Sequence, residues 1–226
     1  MLDLHQLSAL CKKYGAYLHS DTVQTVGHFP INVQQTPVDF MSGAAHKFYG
    51  PKGIGFIYIN SRCHIHPFID GGSQERNMRA GTENSSGIVG LAKAMQLAYA
   101  ELEEDTSHIS SLKEYMRQEI LSLCPEAYIN GHPEHSLYTV LNVSFPPGPY
   151  ADLMIMSLDI AGISVSGGSA CSSGAESQSH VLNAIGHPTD RKAVRFSLSR
   201  NTTREDIDYA VEQLAGILSS GVHVLS

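Results

Sequence analysis

The stretch that most constrains this chain is residues 41–59, MSGAAHKFYGPKGIGFIYI. Gly55 to Ile59 is an apolar run suited to a strand. The Gly50-Pro51-Lys52-Gly53 tetrapeptide before it reads as a turn, because proline fixes φ and has no N–H to donate. A second strand is expected at Val38 to Ser42, so His46 and Lys47 fall where a strand runs out, ahead of two aromatics. Lysine is ordinarily a surface residue. Held against apolar walls it loses proton affinity, and its neutral amine becomes a nucleophile able to join a carbonyl group. A histidine beside it titrates near neutrality and could carry protons. Taken alone, a surface lysine in a loop explains the pair equally simply.

The rest of the chain supplies an α/β setting. Leu4, Leu7, Leu10 and Cys11 share one helical face, which predicts a helix over residues 3–14 ending at Gly15, followed by a strand at 16–19. Residues 85 to about 124 read as helical, with a break near the acidic stretch 101–105. A domain boundary is expected there, giving residues 1–104 and 105–226. The second part alternates strands (137–145, 163–166, 193–199) with helices (151–161, 179–185 and a last one starting at Thr203), the pattern of a compact α+β domain. Thr203-Arg204-Glu205-Asp206 resembles a capping box with Asp in place of the usual Glu or Gln.

Bulk properties narrow the function classes. With 226 residues and a 42% hydrophobic fraction the chain can bury a core. The net charge is −7, the pI is about 5.9, and no lysine/arginine run stands out, which argues against a nucleic-acid or anionic-membrane partner. No apolar run approaches the ~20 residues needed to span a bilayer. No basic leader precedes an apolar block, so no secretory signal is expected. The four cysteines, Cys11, Cys63, Cys124 and Cys171, form no Cys-x-x-Cys pair, as expected of a reduced cytoplasmic protein.

Further candidates lie around this frame. Asp21, in YLHSDTVQTVG, follows an apolar strand with Gln24 one turn on, and could meet a cation or protonated ring nitrogen; a helix cap is the plainer alternative. Asp21 with Lys47 is the pairing that pyridoxal phosphate (PLP) sites use. Residues 71–84, GGSQERNMRAGTEN, offer glycines, Arg76, Arg79 and Thr82, which suit a phosphate, although no P-loop spacing is present. Cys171 sits in SVSGGSACSSGA, where nothing large would bury it, a setting for a thiolate that must travel. Arg195, on an otherwise apolar strand, suits a carboxylate clamp or a structural salt bridge. Cys63-His64-Ile65-His66 and His132-x-x-His135 are metal ligands by type, but neither has structural-zinc spacing, so no stable metal is expected.

In this order, HSDTVQ, AAHKFYGPKGIG, GGSQERNMRAGTEN, SVSGGSACSSG and AVRFSLSRNTTREDID resemble segments of the cysteine desulfurases, PLP enzymes of the class V aminotransferase family. The short Ser/Gly-rich cysteine loop looks like the branch that feeds iron–sulfur and thiolation scaffolds. The resemblance implies an aspartate-aminotransferase-like fold (fold type I), here a partial large domain plus a C-terminal α+β small domain. It implies that Lys47 carries PLP, Asp21 meets the pyridine nitrogen, Gln24 the ring oxygen, and His46 the phosphate. Thr82 would reach the phosphate of a neighbouring subunit's PLP, so a homodimer is implied. Arg195 would bind the carboxylate of L-cysteine. Cys171 would take the sulfur as a persulfide, release alanine, pass the sulfur to an acceptor or iron–sulfur scaffold protein, and serve at most as a transient iron–sulfur ligand. Two departures stand out. Ala44 occupies a position where the family commonly has a phosphate-binding serine, and the family's N-terminal half of the large domain has no counterpart, so the chain reads as a C-terminal portion. Two readings stay beside this one: a selenocysteine lyase, which shares most motifs, and a non-catalytic remnant that dimerises or docks. A cysteine hydrolase using Cys171 with His46 or His180 leaves Asp21 and Lys47 unexplained.

Overall fold

The computed structural model describes residues 2–167 and 179–220, and divides into two compact units, residues 2–104 and 105–220.

The first unit is built on a three-stranded sheet. β1 (His19–Asp21) pairs parallel with β2 (Phe40–Ala44), which pairs antiparallel with β3 (Gly55–Ile59). The expected β3 forms as read, because the turn before it returns the chain directly onto β2. β1 and β2 each lie about two residues later than expected. Their limits are set by pairing, His19 opposite Phe40 and Asp21 opposite Ser42, which periodicity does not report. Asp21 is therefore the last residue of a strand.

α1 (Leu4–Lys13) is capped by Asp3, whose carboxylate accepts from the amides of His5 and Gln6. Its apolar face is only partly covered: Leu10 is 52% exposed, and the one buried residue is Ser8. Between β2 and β3 lies a 3-10 turn, Ala45–Phe48. Ala45 and Phe48 are buried with Val26 and Ala98 in this unit's core, beneath α3 (Ser85–Ala100). Two glycines make that packing sterically feasible. A Cβ on Gly43 would fall 2.4 Å from the ring of its cross-strand neighbour Phe56. One on Gly27 (φ +78°) would fall 2.6 Å from Phe48. α2 (Gln74–Asn77) is a single turn ahead of α3.

The second unit holds an antiparallel sheet in the order β4 (Tyr128–Ile129), β5 (Val140–Phe145), β6 (Lys192–Ser197). It also holds α4 (Leu102–Leu123, which starts just before the boundary), α5 (Met154–Ile160), α6 (His180–Ala184) and α7 (Arg204–Ser220). Leu141, Val143, Phe145 and Val194 are fully buried, as are Leu158 of α5 and Leu214 of α7. Thr203 and Asp206 form the expected reciprocal cap of α7, with Thr203 N–H donating to the carboxylate (2.9 Å) and Asp206 N–H to the hydroxyl (3.2 Å). The strand expected at 163–166 reduces to one bridge between Ser166 and Arg195. β4 was not expected; two residues carry no period, and only pairing with β5 makes them a strand. Among the described residues no helix is long and apolar enough to cross a membrane.

A buried polar cluster ties β4 and β5 to the segment after α6. Ser144 is fully buried, and its Oγ accepts from Arg191 Nε (2.9 Å) and lies 2.9 Å from His187 Nε2. A hydroxyl has one proton and two lone pairs, so the direction of the His187–Ser144 bond follows the imidazole tautomer. Burial lowers the His187 pKa, with the Arg191 charge adding to it and the Pro188 carbonyl and Asp190 opposing. The unfolded chain thus binds a proton near pH 6.5 that the folded one refuses. Stability is expected to be intact above that pH and to fall as pH drops below it, with a slope of at most one proton. Urea unfolding from pH 8 to 5 should show this slope, and His187→Gln should flatten it.

Candidate functional site

In the first unit the candidate groups gather past the carboxyl ends of β1 and β2, adjacent parallel strands, which is where α/β sheets place ligands. Asp21 ends β1. Its Oδ1 accepts from Val23 N–H (2.9 Å), which aims the carboxylate and leaves Oδ2 unspent among the described residues. The plainer reading of Asp21 as a local cap therefore accounts for one oxygen only. Thr22, fully buried, fastens this point to β2: its amide (3.0 Å) and its hydroxyl (2.7 Å) both donate to Ser42 O. Gln24 follows on the exposed side of the same turn.

Lys47 lies in the 3-10 turn that continues β2. Burial of Ala45 and Phe48 on one side of the turn leaves His46 exposed and Lys47 half-buried. Among the described residues no hydrogen bond or ion pair engages the Lys47 amine or the His46 ring. The turn ends at Tyr49 in the left-handed region (φ 65°), and Ala44 sits at its N-cap with no side-chain oxygen to offer the turn's amides.

The loop of residues 71–84 is held by its own side chains. Gln74 Oε1 accepts from Gly81 N–H (3.1 Å). Arg79 donates to Gly81 O (2.7 Å) and Ala80 O (3.3 Å) and pairs with Glu75 (3.3 Å). Arg79 is therefore a brace of the loop, while Arg76 and Thr82 remain exposed. Glu75, Arg76 and Asn77 have φ of 47°, 57° and 65°. Non-glycine residues in this region cost on the order of 1 kcal/mol each. No glycine marks the position, so the sequence carried no signal for it.

In the second unit, Arg195 lies on β6 opposite Asn142 of β5, and its side chain leaves the sheet on the face away from the core residues Val194 and Phe196. Its Nε is buried with no hydrogen-bond partner among the described residues. Arg200 on the same segment pairs through its terminal nitrogen with Asp105 (2.8 Å), whereas among the described residues no ion pair engages Arg195. On its other side Arg195 exchanges backbone bonds with Ser166, at 2.7 and 3.2 Å. The stem that leads toward Cys171 is thus pinned directly to the arginine. Cys171 itself lies outside the described residues. Beyond it, Ser179 caps α6 through its hydroxyl.

Cys63 donates to Asp39 (3.4 Å), and burial raises its pKa, with the Asp39 bond adding to it. His132 Nδ1 accepts two backbone amides, from Glu134 and His135 (3.1 Å each). Among the described residues no group of three or more His, Cys, Asp or Glu is placed to hold a metal.

A half-buried strand-end amine and a carboxylate one strand away fit a class of cofactor enzyme that comparison with known proteins defines. The aminotransferase class-V family model matches residues 1–210, and the chain belongs to that family. Its relatives are more particular. It is 43% identical over 217 residues to a cysteine desulfurase IscS of Dictyoglomus turgidum, covering 95% of this chain and 55% of the relative. It is 41% identical over 218 residues to a cysteine desulfurase IscS of Clostridium botulinum (strain Hall), with the same coverage. Among solved structures, a NifS-like protein superposes with a TM-score of 0.85 at 36% identity, over 96% of this chain and 57% of that one. The NifS-like protein of Rickettsia africae gives 0.84 at 30%, over the same shares. The chain thus spans about half the length of the curated relatives it matches.

The family is PLP-dependent. The donor set fits that cofactor: the Lys47 amine and Asp21 Oδ2 are both unspent, whereas neighbouring Thr22, Asp39 and Arg79 are committed to the fold. At Ala44 the fit lacks one hydroxyl.

Proposed function

We propose that the protein of which this chain is part is a cysteine desulfurase, taking sulfur from L-cysteine, releasing L-alanine and holding the sulfur as a persulfide on Cys171. The observation that carries this reading is the pair of unspent groups, Lys47 and Asp21, past adjacent parallel strand ends in a chain 43% identical to a cysteine desulfurase.

Each residue then has a physical task. Lys47 holds PLP through its amine, and Asp21 keeps the ring nitrogen protonated by accepting its hydrogen bond. Gln24 donates to the ring oxygen, and His46 positions the phosphate. When bound, PLP supplies an electron sink that makes the Cβ–S bond of the substrate breakable. Arg195 offers its guanidinium, including the unsatisfied Nε, to the substrate carboxylate as a two-pronged clamp. The Cys171 thiolate attacks the substrate sulfur. An S–S bond forms, the Cβ–S bond breaks with its electrons going toward carbon, and protonation gives alanine. The persulfide sulfur passes to a thiol of an acceptor protein, such as an iron–sulfur scaffold, in a reducing cytoplasm.

Thr82 serves the phosphate of a second copy, making the protein a homodimer. In support, Phe68 in the preceding loop is 98% exposed and Ile69 52%, apolar surface that a partner would cover. The test is turnover of the chain supplied with PLP, L-cysteine and a thiol reductant. Alanine and sulfide should appear in equal amounts, with selenocysteine run in parallel. Alanine without sulfide, or turnover of selenocysteine alone, overturns the reading.

A further inference from the structure

The Lys47 carbonyl has a donor problem that the sequence creates locally. A continuing helix would offer it the amides of the next turn. Here the Tyr49 and Gly50 amides both go to Ala45 O, and Pro51 has no N–H. The residue that reaches this oxygen is distant in sequence: His28 Nε2 lies 3.0 Å from Lys47 O, part-buried. A carbonyl only accepts, so the histidine is the donor and Nε2 carries the proton.

His28 is itself firmly placed. It ends the turn that begins at Asp21. Thr22 is fastened to Ser42, the His28 amide donates to Thr25 O (3.0 Å), and Gly27 packs against Phe48. One segment thus starts with the carboxylate proposed for the ring nitrogen and finishes on the backbone of the lysine proposed for PLP.

We infer that His28 is a positioning residue: its imidazole replaces the backbone donor lost at Pro51 and sets the orientation of the Lys47 turn relative to Asp21. It has no part in the chemistry itself. The consequence for cofactor capture rests on the reading of Lys47 given above, but the clasp does not, and the two can fail separately.

The test compares His28→Phe, which keeps a ring and removes the donor, with His28→Gln, which keeps an N–H donor, both in the full chain. Amide hydrogen exchange at Tyr49 and Gly50 should quicken about fivefold in the phenylalanine variant, the effect of one lost hydrogen bond, and return toward the parental rate with glutamine. Without cofactor, competitive acetylation should show the Lys47 to Lys52 labelling ratio shifted severalfold in His28→Phe and restored in His28→Gln. Parental exchange in His28→Phe, or no rescue by glutamine, overturns the clasp. Faster exchange with an unchanged labelling ratio overturns the positioning role, since a merely structural bond would behave so. Borohydride trapping of PLP on the parental chain addresses the other reading: an adduct mapped away from Lys47 refutes the cofactor lysine and leaves the exchange result standing.

Discussion

Lys47→Ala is expected to abolish the visible absorption that PLP acquires on joining an amine, and to lower alanine formation by roughly 10²–10⁴-fold, the range for loss of a positioned acid–base group. The expectation follows from geometry as much as from kinship. Lys47 is half-buried on a turn whose first and last side chains, Ala45 and Phe48, are packed in the core. The turn therefore persists when the amine is removed, and the loss is chemical. Lys52 is exposed in the next turn and serves as the control. Lys52→Ala should retain both absorption and turnover. Absorption that survives in Lys47→Ala would remove the lysine from its role.

Cys171→Ser is expected to separate two functions that Lys47→Ala loses together. PLP absorption should remain, because the residues proposed to hold the cofactor lie in the first unit. Sulfide release should fall by roughly 10³-fold or more, as when the nucleophile of a group that acts as a unit is lost. A hydroxyl is far less acidic than a thiol and cannot take up sulfur as a persulfide. Sulfide release at the parental rate in this variant would show that sulfur leaves by another route.

Much of the local structure was legible. The Gly-Pro-Lys-Gly turn and Gly55 to Ile59 gave β3 to the residue, and Thr203 with Asp206 gave the start of α7, because turns and caps are made by neighbours in sequence. The break between α3 and α4 fell at Glu101, at the edge of the acidic stretch. Asp21 and Lys47 were readable as groups near strand ends, although the strand limits themselves were set by pairing. What was not readable depended on partners far along the chain. β4 exists only through β5. The 163–166 segment became a single bridge, Ser166 to the other edge of β6 at Arg195, a pairing that local periodicity does not report. Arg79 read equally as a phosphate contact or as part of a polar loop, and only the folded loop shows it bonded to Ala80, Gly81 and Glu75.

The amino-acid order alone determined the chemical inventory and where the chain must turn, since proline, glycine and capping oxygens act within a few residues. Tertiary structure decided which polar groups are spent and which are left for a ligand. Thr22, Arg79, Ser144 and His28 are hydrogen-bonded into the fold, whereas the Lys47 amine, Asp21 Oδ2 and Arg195 Nε have no partner among the described residues. The physical reason is that a polar group removed from water must find a partner, and folding brings that partner from elsewhere in the chain.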